Sequence, residues 1–310
     1  SIVNEIDLAG EGGLVWIKGR SDAYAHQLYD TARGVTKMIG SSSTAAEGTR
    51  SGGVTSFNAN GFSIGNEGVI NPSGDTLASW TFRKAEKFFD IVTYTGNGSV
   101  RTIPHGLNCA VGSIFIKRLD NNNPWIIFHR SNGATGWLSF DTAAFGVNSG
   151  AFNNTMPTDS VFTLGTRDDV NNNGNTYVAY IFAHNDGDGT FGPDGDADAI
   201  KCGSYTGNGG HVDIDLGWEP QWVLVKKATG TGNWTILDTM RGWVNGGGNV
   251  DQQLYPNLSD SETAYELGHP TATGWKEKSN TTTGQTYIYM AIRRGPLAPP
   301  TAGTEVFNIA

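Results

Sequence analysis

Charge is scarce in this chain, and positive charge is scarcer than negative. Only 16% of the 310 residues are charged, with 21 Lys and Arg against 30 Asp and Glu, a formal balance of -9. Phosphate binding needs a basic surface, so this balance argues against nucleic acid as a partner. It argues in the same direction, more weakly, against an anionic membrane surface. No apolar run approaches the ~20 residues of a membrane-spanning helix, and membrane insertion by that route is not expected. The opening "SIVNEIDLAG" has neither a basic n-region nor an apolar h-region, so it does not read as a signal peptide. It also lacks an initiator Met and is read as processed or as a fragment. Cysteine is nearly absent: Cys109 and Cys202 make no disulfide framework and are expected to be reduced, which fits assembly in a cytosol. They share no metal-ligand spacing with the six His, so no zinc site is expected. Long Lys/Glu-rich amphipathic stretches are missing too, and with them the usual surface helices.

What is present points to strands. The 43 Gly, nine Trp and 11% aromatic residues suit short strands joined by tight turns. The length alone allows about two or three domains. The chain also repeats itself. "LVWIKG" at 14–19 returns as "SIFIKR" at 113–118 and "WVLVKK" at 222–227. "LYDTARG" at 28–34 returns as "ILDTMRG" at 236–242, and "YTGNG" occurs at 94–98 and 205–209. "SGDTLASWTFR" at 73–83 returns as "NGNTYVAYIFA" and "TGQTYIYMAIR". The order and spacing of these matches give three units, 1–87, 88–198 and 199–296. A Pro-rich linker and a terminal strand follow at 297–310, where "TEVFNIA" resembles the first strand of a unit ("FFDIVTY", "AIKCGSY").

A period near 100 residues is too long for a propeller blade or a solenoid rung and fits a small domain with its own core. "LVWIK" is almost wholly apolar, as in a central strand buried on both faces. "TYVAYIFAH" and "TYIYMAIRR" are rich in β-branched and aromatic residues. Helical periodicity is absent. The expected class is all-β, as three tandem β-sandwich units of jelly-roll or concanavalin A-like type, with an open barrel as the alternative.

The strings quoted above, together with "FGPDGD", "LGWEPQWVLVKK" and "YMAIRRGP", are similar to repeat domains in tail-fibre and related virion proteins of tailed bacteriophages. The resemblance covers roughly residues 5–300. It implies lectin-like sandwich domains in a virion protein of the phage tail or capsid surface, assembled in the host cytoplasm. It brings no catalytic residues with it. The expected partners are other virion proteins and a glycan or protein of the host surface. A homo-oligomer is expected, with a trimer favoured.

Three sets of residues carry possible chemistry. "EIDLAGE" (5–11) resembles the catalytic strand of laminarinase-type glycoside hydrolases, because Glu5, Asp7 and Glu11 on a strand would share a groove. A retaining glycosidase needs two carboxylates about 5 Å apart. The third unit has "DIDLGWE" in the same place and the second has "TIPHGLN", with no carboxylate. The acids thus track a recurring half-exposed strand, with Ile6 and Leu8 on one face and Glu5 and Asp7 on the other. No catalytic residue is assigned. The loop 185–199 holds Asp186, Asp188, Asp194, Asp196 and Asp198, which suit either Ca²⁺ or a solvated acidic loop. It fails the EF-hand pattern at Ala199 and Tyr205. No other cofactor is expected.

Among the aromatics, Trp125, Trp234 and His26 recur in all three units, as do Trp80, Tyr180 and Met290, and these read as core. Trp137, Trp243 and Tyr255 do not recur. They stand in Gly/Asn-rich stretches, as candidates for stacking on a sugar or anchoring a protein. Asp30 with Arg33 and Asp238 with Arg241 read as turn-tying pairs. The leading expectation is a non-enzymatic host-facing or assembly protein that displays weak sites in many copies. A glycan-degrading tail enzyme and a head-decorating spacer without ligand are the alternatives.

Overall fold

The computed structural model describes residues 1–140, 146–147, 150–244, 251–278 and 281–295, and the linker and strand expected at 297–310 lie outside them. The protein is all-β. One four-residue helix, Asp168–Asn171, and two 3-10 turns, Arg130–Asn132 and Thr239–Arg241, are the helical elements among the described residues. No helix there is long and apolar enough to cross a membrane.

Three larger antiparallel sheets organise the molecule. The first contains β1 (Gly13–Gly19), β2 (Gln27–Asp30) and β3 (Leu77–Arg83), in the order β2-β1-β3. The second contains β4 (Phe89–Thr95), β5 (Val111–Arg118), β6 (Ile126–His129) and β7 (Thr176–Ala183), in the order β6-β5-β7-β4. The third contains β8 (Ile200–Thr206), β9 (Pro220–Lys227), β10 (Trp234–Asp238) and β11 (Thr286–Arg293), in the order β10-β9-β11-β8.

Each larger sheet has a smaller one beside it in sequence. These are Ile2–Val3 with Val54–Asn58 and Gly61–Ile64, then Arg101–Pro104 with Val161–Leu164, then Val212–Asp215 with Gly268–Thr271 and Gly274–Glu277.

Alternation along the central strands explains why they are apolar on both faces. In β1, Val15 and Ile17 pack with Tyr29 of β2 and with Val54 and Phe62 of the first smaller sheet, while Leu14 and Trp16 turn the other way. In β9, Val223 packs with Ile214 and Trp275, while Trp222 and Leu224 turn away. The residues that turn away meet those of the second sheet in one common core. Aromatic edges make the joins: Trp16 to Phe140 at 5.7 Å, Phe82 to Phe182 at 5.5 Å, Phe82 to Trp222 at 5.8 Å and Phe140 to Trp234 at 5.1 Å. Each fully buried large apolar side chain contributes about 1.5–3 kcal/mol.

The Lys that ends each apolar run is buried as well, and its ammonium is held by backbone carbonyls. Lys18 donates to Gly19 and Asp22, Lys117 to Thr44 and Asn123, and Lys226 to Lys227 and Gly230. The stem therefore fills the core edge while the head fixes the turn that follows.

"EIDLAGE" is a turn in this structure, which corrects the expected strand. Glu5 has φ 60, in the left-handed region, and Asn4 bonds back to the Ile6 amide. Leu8 and Ala9 both donate to the Asn58 carbonyl, which pins the turn on the neighbouring hairpin. Leu8 alone is driven inward, at 1% exposure. The counterparts at Arg101–Pro104 and Val212–Asp215 are strands.

Candidate functional site: a groove along an unpaired strand edge

The three sheets are joined in a ring by polar contacts. Tyr180 of the second sheet donates its hydroxyl to Asp30 of the first at 2.7 Å. Trp80 of the first donates Nε1 to Asp238 of the third at 2.9 Å. His129 of the second bonds through Nε2 to the Tyr289 carbonyl of the third at 3.0 Å. A second ring runs in parallel. Trp125 Nε1 donates to the Gly40 carbonyl and Trp234 Nε1 to the Ser139 carbonyl. His26, whose Nδ1 accepts from Trp16, faces the Tyr255 carbonyl without closing an ordinary hydrogen bond. Burial pushes His26 well below the usual imidazole range, and burial likewise holds His129 at about 4. All three aromatic residues of this second ring are buried, as their recurrence suggested.

Asp30 and Asp238 each have an Arg three residues on. Arg33 donates its amide and Nε to Asp30, and Nη2 to the Leu28 carbonyl. Arg241 repeats this on Asp238 and the Ile236 carbonyl. Each guanidinium also meets a second acid, Glu47 for Arg33 and Glu262 for Arg241. The sequence reading of these pairs as turn ties is incomplete, since the same carboxylates also receive the donor from the next sheet.

A groove of about 690 Å³ opens where the first and third sheets meet. Its floor is β3, every residue of which lines it. Gln221, Trp222, Met240 and Arg241 form the opposite wall, and Phe191 and Asp198 of the Asp-rich loop close one end. Met240, at the rim, is 92% exposed. The groove follows from strand count: among the described residues β1 pairs with one edge of β3 and nothing pairs with the other. Its two carboxylates are already engaged. Asp238 accepts from Trp80 and Arg241, and Asp198 accepts from the Gly187 and Gly189 amides.

The sequence-nominated residues fall in several places. Trp243 is fully buried in the core of the third sheet with Trp218 and Trp275, which corrects its expected surface position. The Gly/Asn-rich context that suggested exposure belongs to the residues after it, and the indole itself is drawn in by its apolar area. Trp137 is half-buried. The Arg167 guanidinium lies 4.5 Å above its ring, and the Gly146 backbone abuts it so closely that a Cβ there would meet the ring at 2.4 Å. Tyr255 is half-buried beside His26.

The Asp-rich loop makes a turn network. Asp186 pairs with Lys201 at 3.0 Å, Asp188 accepts from the Asp186 amide, and Asp198 ties two glycine amides. Among the described residues no three His, Cys, Asp or Glu side chains converge to hold a metal ion, which for Asp186, Asp188, Asp194, Asp196 and Asp198 favours the solvated acidic loop over Ca²⁺, the two readings their sequence allowed.

Sequence reasoning missed Glu277. It is buried below Trp275, which donates Nε1 to it at 3.3 Å, and burial pushes it up to about 8. The signal available was parity: Trp275 and Glu277 share a face of one strand. Both cysteines are free and buried.

One family matches residues 4–296, described as a domain of unknown function (DUF7483). The chain belongs to that family. The match takes in all three larger sheets. No curated protein and no solved structure matches the chain.

Proposed function

We propose that this chain is a non-enzymatic structural protein of a tailed-bacteriophage particle, at the tail fibre or another host-facing appendage. Its fold is read as three β-sandwich units, 1–87, 88–198 and 199–296, each pairing one larger sheet with its smaller neighbour. The observation that carries the reading is the back-to-back packing of the three larger sheets on one core, closed by cyclic polar contacts. That packing makes a stiff body and turns the three smaller sheets and their loops outward, where copies on one particle gain avidity from weak contacts. Trp137 and Tyr255 are the two nominated rings that still reach the surface. The carboxylates at the groove are committed to structural hydrogen bonds, which favours a binding or assembly role over glycan cleavage.

Two measurements test this together. Antibody labelling of intact particles should place the chain on an appendage, and the purified chain should bind host cells saturably. Release of reducing sugar from host polysaccharide would overturn the reading in favour of a tail enzyme. Labelling confined to the head, with no cell binding, would leave a decorating spacer.

A further inference from the structure

We propose that the groove takes an extended segment of a separate polypeptide as an added antiparallel strand on β3, a segment with alternate apolar residues and an acidic residue at its N-terminal end. Backbone parity carries the proposal. Arg20 donates its amide to the Thr76 carbonyl, and Lys84 donates its amide to the Gly12 carbonyl, at the two ends of the pairing between β1 and β3. In an antiparallel ladder the hydrogen-bonded pairs recur at every second residue. Ala78, Trp80 and Phe82 therefore bond to β1, while Leu77, Ser79, Thr81 and Arg83 turn their N–H and C=O groups into the groove. Among the described residues no strand pairs with them. A row of alternating donors and acceptors is matched by another polypeptide backbone, which is the chemistry of strand addition.

The side chains around the edge select the segment. β7 and β11 stand in the second and third sheets where β3 stands in the first, and their corresponding edges are covered antiparallel by β4 and β8. Those strands set Phe89 opposite Phe182 and Ile91 opposite Tyr180, then Ile200 opposite Ile292 and Cys202 opposite Met290. All four covering residues are in the common core. On β3 the equivalent positions are Phe82 and Trp80, and Trp222 and Met240 stand across the groove from them. An occupant thus needs apolar side chains opposite Phe82 and Trp80, two residues apart.

Charge sets its direction. The groove gathers Arg20, Arg83, Arg241 and Arg293 against Asp198 and Asp238, in a chain whose formal balance is -9. Both Asp are committed to hydrogen bonds, and Arg20 and Arg241 share Glu262. Arg83 meets Glu11 at 3.7 Å between two exposed side chains, and Arg293 reaches the Asp198 carbonyl at 3.4 Å. Both lie at the end that Phe191 and Asp198 close. An acid at the N-terminal end of an antiparallel occupant stands opposite Arg83. A second folded copy does not fit this slot, because its own β3 is recessed behind the same walls.

The slot does not depend on the virion assignment, so peptide binding and cell labelling fail separately. The probe is a blocked peptide, Glu followed by alternating Val and Thr, which sets Glu opposite Arg83 and Val opposite Phe82, Trp80 and Ala78. Added to the full chain, it should slow amide exchange at Leu77, Ser79, Thr81 and Arg83 by about tenfold or more, and leave Ala78, Trp80 and Phe82 as they were. Methylating its Thr amides, which face β3, should weaken binding by at least about tenfold, and methylating its Val amides should not. Equal effects of the two, or no binding, would overturn the proposal. Lys in place of Glu should bind more weakly, and Arg83→Gln should erase that preference; indifference to the sign of charge would overturn the acidic partner. Slow exchange of the four amides without peptide would assign the edge to the chain itself in dilute solution, or to a second copy if it grows with chain concentration. Either result would overturn the proposal.

Discussion

Tyr180 donates its hydroxyl to Asp30 at 2.7 Å across two sheets, and Trp80 does the same for Asp238 with its indole N–H. Met290 stands in the corresponding place on β11, opposite Leu224, and has no donor. The acceptor is changed to suit: where the other two sites have Asp with Arg, the second sheet has His129 with Asn132. His129 turns its own ring nitrogen to the backbone carbonyl of Tyr289. Donor and acceptor therefore vary together at the three joins.

Tyr180→Phe removes the donor and leaves the buried Asp30 and Arg33 in place. A lost hydrogen bond to a charged, buried acceptor costs about 1.5–3 kcal/mol. Denaturant unfolding should show a loss of that size with an unchanged m value.

His129→Asp installs the acid opposite a thioether and a carbonyl, with no donor from the facing sheet and no Arg three residues on. Leaving a buried carboxylate unpaired is expected to cost about 3–5 kcal/mol. Adding Asn132→Arg should restore part of the loss, because Arg33 and Arg241 stabilise their acids at the same spacing. A double-mutant cycle measures the coupling, and a coupling of zero would refute the equivalence of the three turns.

Stability should fall on acidification. Burial holds His129 and His184 at about 4 in the fold, against an ordinary value near 6.5. Between these limits the unfolded chain binds protons that the folded chain does not, so stability falls as pH drops from about 6.5 to 4. Urea midpoints across that range should show it, and His129→Gln should flatten the slope.

Glu277 acts at the other side of neutrality. Its folded value of about 8 lies above the ordinary 4.5, chiefly through burial. The folded state keeps a proton that the unfolded state has lost, so its contribution is full below 4.5 and disappears as pH rises to about 8. Glu277→Gln should leave stability nearly unchanged at pH 4.5 and raise it at pH 8, as thermal unfolding at the two pH values would show.

Trp243→Ala is expected to destabilise by about 3–5 kcal/mol through the cavity it leaves. Trp137→Ala, at a half-buried ring, should cost clearly less. Any loss of cell binding is thus interpretable for Trp137 and not for Trp243, provided circular dichroism melts accompany the binding curves.

Much of the fold is written locally. The apolar runs ending in Lys18, Lys117 and Lys226 predict strands covered on both faces, and β1, β5 and β9 are such strands. Aromatics that recur at one offset predict core, and Trp125 and Trp234 are core. The site was less legible. "EIDLAGE" and "DIDLGWE" match position for position, yet one is a turn and the other a strand. The choice is made by Asn58 and Asn60, about fifty residues away, whose carbonyls take the amides of Asn4, Leu8 and Ala9. Trp243 shows the same limit, since polar neighbours in sequence say little about an indole whose packing partners are Trp218 and Trp275.

By itself, the sequence determined strand class and the inward parity of the central strands, because periodicity and side-chain volume act over a few residues. Tertiary structure alone decided that the three larger sheets share one core, which donor meets which carboxylate, and that among the described residues one edge of β3 has no partner strand. Those outcomes depend on contacts between residues about one to two hundred positions apart, and no local pattern encodes the distance between them.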